Sequence, residues 1–184
     1  MNGTESLKRF LDQKLLAHKQ LDFIKTDPLS VPHMFSLPQD QEIAGFFAAI
    51  FAWGNRTTII QKCKDLMHRM DNSPYAFCLN ASSIELNKLL GFRHRTFTED
   101  DLLYFVEFFR AHYREHASLE SAFTAGMQKG ATTVEEGLDH FKQYFFRLPH
   151  LRRTQKHIAS PEQGSACKRI NMFLRWMVRD DGID

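Results

Sequence analysis

The residue with the clearest chemical opportunity is Lys168, which follows Gly164-Ser165 at the expected start of the last helix. A helix start carries partial positive charge and amide groups without intrahelical partners. With Arg169 and Arg175 close by in sequence, that field opposes protonation of the amine and predicts a lowered pKa. An amine so tuned attacks an electrophilic sugar carbon and forms a Schiff base. The amides at the same helix start suit a phosphate. The alternative is an ordinary exposed lysine.

The other chemistry-bearing residues give weaker patterns. The nine histidines read as scattered, without the Cys/His clustering of a zinc site, so no metal and no cofactor is expected. Cys63, Cys78 and Cys167 lie far apart and form no C-x-x-C pair, which argues against a disulfide framework. His94 between Arg93 and Arg95 reads as an exposed basic turn. Tyr144-Phe145-Phe146 before Arg147 could supply a wedge between bases, but core packing explains it more simply.

Charge is unevenly spread. From Lys142 to Arg179 there are nine Lys and Arg against the single acid Glu162, a segment of +8 in a chain of net charge +2. One cationic end facing an anionic partner is the functional reading, and nucleic acid is the commonest such partner. A solvated basic surface is the plain one. The polar start of the chain lacks a signal-peptide pattern, and the apolar run from Ile43 to Trp53 is too short for a bilayer. No membrane contact and a cytoplasmic address are therefore expected.

Helices must position these residues, because helical periodicity recurs and no period-two strand pattern does. The sequence predicts one all-α domain over 1–184, divisible into lobes 1–40 with 140–184 and 41–139. Leu7, Phe10, Leu11 and Leu15 mark a first helix over Thr4 to Gln20. Ser36 and Gln39 suggest a capping box for a second, apolar nearly all round from Ile43 to Trp53, ending at Gly54-Asn55. The next starts at Thr57 or Thr58, making a hairpin with Gly54-Asn55-Arg56 at its tip. Ser73-Pro74, Ser82 with Glu85, Thr98 with Asp101, Ser118, and Thr132 with Glu135 mark further starts. The last helix, Ser165 to Arg179, has a core stripe of Ala166, Ile170, Phe173, Leu174 and Met177. Its other face carries Lys168, Met172, Arg175 and Arg179 within about 60° of each other.

Residues Ser160 to Arg179, with Asp27-Pro28, Pro32 to Phe35 and Asp40 to Arg56, resemble the hallmarks of an uncharacterised bacterial family. The likeness covers nearly the whole chain. That family distantly resembles the helix-hairpin-helix base-excision DNA glycosylases, especially the archaeal 8-oxoguanine branch. The resemblance implies a multi-helix globular fold of that type, incomplete at its C-terminus. It implies DNA as partner and lysine-dependent N-glycosylase/lyase chemistry on an extruded base. Lys168 would be catalytic. Asn55, Arg56, Gly164, Ser165, Arg169, Arg175 and Arg179 would contact nucleic acid, with the base pocket between the central and last helices.

Two departures accompany the likeness. Lys168 lies four residues after Gly164, where the glycosylase hairpin places its lysine two after the glycine. The family's aspartate would fall beyond Asp184, and Asp180, Asp181 and Asp184 come too soon after the lysine helix. The end at Gly182-Ile183-Asp184 therefore reads as a cut frame, with binding expected to outlast cleavage. A non-catalytic nucleic-acid module and a helical protein-interaction domain remain the alternatives; the sequence is silent on oligomeric state.

Overall fold

The computed structural model describes residues 3–18 and 21–180, and the chain is a mostly helical, multi-helix globular protein. Ten α-helices occur among them: α1 Gly3–His18, α2 Leu21–Ile24, α3 Pro38–Phe51, α4 Arg56–Arg69, α5 Pro74–Asn80, α6 Ser83–Leu86, α7 Glu99–Tyr113, α8 Glu120–Thr124, α9 Glu135–Phe145 and α10 Lys168–Val178. Short 3-10 turns fill the connections, including Arg152–His157 and Pro161–Gln163. The period-two reading missed one small hairpin, β1 Arg93–His94 with β2 Phe97–Thr98, because two-residue strands are too short to show alternation.

The core is built on α3. Phe46 is fully buried, and the rings of Phe105, Phe109, Phe141, Phe145 and Phe173 surround it at centroid distances of 5.3 to 6.1 Å. Edge-on and tilted contacts of this kind add to the area each ring buries. α10 lies antiparallel along α3, since Arg169 meets Ile50 at one end and Met177 meets Gly45 at the other. A side chain at Gly45 would come to 3.1 Å from Met177 Cε and 3.7 Å from Phe173, so glycine permits the close approach.

Local capping rules hold where nothing competes with them. Ser82 with Glu85 and Thr98 with Asp101 both form complete capping boxes. The Ser36 box does not form: α3 begins at Pro38 after Leu37, because proline's fixed φ favours the first helical position, and Gln39 instead donates to Ala117 O at 2.9 Å. The Thr132 cap is also absent, and α9 begins at Glu135 after Val134. α3 ends at Phe51, before Trp53, and α4 starts at Arg56 rather than at the threonines. α10 starts at Lys168; Ala166 is exposed, and Trp176, not read as core, is buried. The apolar stripe of α1 (Leu7, Phe10, Leu11, Leu15) is exposed rather than packed. The expected chain end at residues 182–184 lies outside the described residues.

Candidate nucleic-acid interface

The last turn of an α-helix leaves carbonyls without partners, and at the end of α3 two side chains take them. Arg169 Nη1 donates to Ile50 O at 2.8 Å, and His94 Nε2 lies 3.1 Å from Phe51 O. These contacts gather the start of α10 and the β1–β2 hairpin at one end of the molecule. His94 is thus buried, while Arg93 and Arg95 on either side are exposed. The exposed basic turn anticipated there is two arginines around an inward histidine. Burial lowers the His94 pKa, with the Phe51 carbonyl opposing.

A fully buried carboxylate holds the same end together. Asp101, third residue of α7, accepts from Thr98 N at 2.9 Å, Thr154 Oγ1 at 2.8 Å and Arg153 Nη1 at 2.9 Å, and His157 Nε2 stands 3.3 Å away. Burial pushes the Asp101 pKa up, but the neighbouring His157 and the Thr98 and Thr154 bonds outweigh it and hold the carboxyl below its ordinary range. Arg153 Nη2 also donates to Thr96 O at 2.8 Å, tying the Arg152–His157 turn to the hairpin.

On this scaffold Lys168 is the first residue of α10 and is exposed. It lines a cavity of about 230 Å³ with His157, Ala159, Ser165, Cys167 and Arg169. Gly164 closes the turn before it at φ 71, and Ser165 Oγ accepts from Cys167 N at 3.1 Å. That serine therefore satisfies one of the amides expected to be available for phosphate. Cys167 itself sits at φ 47, a left-handed conformation that non-glycine residues rarely adopt.

The remaining site residues do not converge on Lys168. Arg169, its sequence neighbour, points inward to Ile50 O and, at 3.5 Å, His157 O, and burial lowers its pKa. Arg175 is exposed one and a half to two turns further on, about 10 Å along the helix axis. Arg179 follows α10, half-buried, its backbone N–H donating to Arg175 O. Asn55 caps α4, its Oδ1 accepting from Thr58 N at 3.1 Å. Arg56 pairs with Asp27 at 3.8 Å and lies over the Phe23 ring. The +8 segment is likewise not one open patch, because Lys142 is engaged by Gln163, Arg147 by the Tyr144 ring, and Arg153 by Asp101.

An apolar cavity of about 450 Å³ lies among α8, α9 and α10, with Glu42 the residue of the central helix α3 in its lining. It sits at the opposite end from Lys168, against Glu42, Phe123, Phe173, Arg175 and Met177. Glu42 there accepts from Tyr113, Ser118 and the Leu119 amide, at 2.7, 2.5 and 3.0 Å. The amine and the large pocket are therefore separate features.

Sequence reasoning missed Trp53, Arg95, Asp101 and His157 as parts of this end. Trp53 stands half in solvent with Arg95 over its ring; its place directly before the Gly54-Asn55 helix stop was the available signal. It also passed over the four-residue spacing of His112 and His116. Those rings stack at 4.8 Å, but His112 is bonded on both nitrogens, to Tyr144 Oη and Ser118 O. Among the described residues no cluster of three or more His, Cys, Asp or Glu could hold a metal ion, and the three cysteines are free and buried.

Fold and geometry thus define a multi-helix globular protein with an exposed lysine at the start of its last helix. The chain belongs to the family described as "Protein of unknown function (DUF2400)", whose model matches residues 27–184. Comparison with curated proteins and with solved structures returned no match. No helix among the described residues is long and apolar enough to cross a membrane.

Proposed function

We propose that the chain binds DNA through the end of the molecule that carries Lys168, and that the Lys168 amine forms an imine with an opened deoxyribose. The observation that carries this reading is the exposed amine at the first position of α10, lining an open cavity whose other cation, Arg169, is turned away. Lys156, Arg93 and Arg95 are exposed on the elements joined to it and supply charge for a phosphate backbone. The likeness of Ser160 to Lys168 to the glycosylase hairpin supports the same assignment.

The chemistry suits a sugar that has already lost its base. The Lys168 nitrogen attacks the C1′ aldehyde, and the carbinolamine loses its oxygen as water to leave a C=N bond. Cleaving an intact glycosidic bond in the glycosylase manner calls for a carboxylate beside the amine. Among the described residues none lines the Lys168 cavity, so this chain is assigned binding and imine formation rather than base removal.

Borohydride trapping on a duplex containing one abasic site tests the reading. A covalent adduct that disappears in Lys168→Gln is the expected result. Salt-dependent duplex binding without an adduct would leave a non-catalytic nucleic-acid module. Absence of both would favour a protein-interaction domain with an acidic partner.

A further inference from the structure

Trp53, like Phe10 of α1, is a large ring left at the surface. It is 50% exposed, two residues past the end of α3, while Phe46, Phe47 and Phe51 of that helix are buried. Arg95 lies over it, its guanidinium carbon 5.1 Å from the ring centroid. A glycine turn and one strained residue hold the pair. Gly54 sits at φ 114, and any side chain there would collide with the Arg95 guanidinium. Arg95 itself sits at φ 53, in the left-handed region that residues with a Cβ seldom occupy. Such strain persists only where surrounding structure enforces it, and it concentrates at functional positions. The enforcement is visible: His94 anchors the hairpin to Phe51 O, and Arg153 anchors its turn through Thr96 O.

We propose that Trp53 and Arg95 form a stacking platform for an unpaired nucleobase, with the Arg95 and Arg93 guanidinium groups meeting the adjoining phosphate. The proposal rests on the DNA-binding reading above and extends it by naming the preferred partner, a nucleic acid with a base out of its stack. A half-exposed indole with a guanidinium plane over it offers a π-rich, cationic stack that an unpaired base can join. The neighbouring Asn55 and Arg56 are less suited, because one is spent capping α4 and the other pairs with Asp27.

The test compares two labelled duplexes by fluorescence anisotropy, one fully paired and one with a single unpaired thymidine. The full chain should bind the second more tightly by about 5- to 150-fold, the range that base–aromatic stacking gives, with quenching of tryptophan emission. Trp53→Ala should remove both the preference and the quenching, and Trp53→Phe should restore part of the preference. A preference that survives in Trp53→Ala overturns the platform. Equal binding of both duplexes by the unmodified chain overturns it too, while leaving the DNA-binding reading intact. No binding to either duplex removes both.

Discussion

Replacing Asp101 with alanine should unfold the Lys168 end before it disturbs anything else. The carboxylate is fully buried and is approached by the Thr98 amide, the Thr154 hydroxyl, the Arg153 guanidinium and His157. Without it the Thr154 hydroxyl stays buried with no acceptor, which costs about 1–3 kcal/mol, and the buried His157 ring loses its facing carboxylate. Arg153 is partly exposed and regains water, so its share is smaller. Together these suggest a loss of about 3–5 kcal/mol, as for a broken buried ion pair. Urea unfolding followed by far-UV circular dichroism measures it, and a loss below about 1 kcal/mol would refute the hub's role.

The same residue fixes a pH dependence. Its folded pKa is held below the ordinary 3.8, so the stability it supplies is present above that value and is lost as pH falls through the lower, folded one. The stability gap between the unmodified chain and Asp101→Asn should therefore be constant at neutral pH and shrink below about pH 4. A gap that widened on acidification would contradict the assignment.

Other perturbations separate core, clamp and surface. Phe46→Ala, at the centre of five ring contacts, should cost about 3–5 kcal/mol in the same urea assay. Arg169→Met should cost about 1–3 kcal/mol by leaving Ile50 O without its donor. The folded Arg169→Met protein should keep its duplex affinity within about twofold at fixed salt, since this cation faces inward; a tenfold loss would return Arg169 to the DNA surface.

What the sequence made legible was local. The capping boxes at Ser82 and Thr98 form because each depends on four consecutive residues, although the equally local Thr132 box does not. The Ser36 box failed because Pro38 shifted the helix start. Trp53 read as core because an apolar residue at helical spacing looks buried, whereas its exposure follows from the helix stopping at Phe51. Lys168 and Arg169 are adjacent in sequence yet about 100° apart around the helix, which sends one to solvent and the other to Ile50 O. The Asp101 hub was beyond reach, since its partners Arg153, Thr154 and His157 lie more than fifty residues away and meet it only through the tertiary fold.

The most direct measurement of the central claim is duplex affinity as a function of salt, for the unmodified chain and for Arg93→Gln with Lys156→Gln. If Lys156, Arg93 and Arg95 each meet a phosphate, log K should fall with log salt at a slope of about −2 to −3. The double variant should flatten that slope by about two. Binding that ignores salt, or a slope that the two substitutions leave unchanged, would contradict the account.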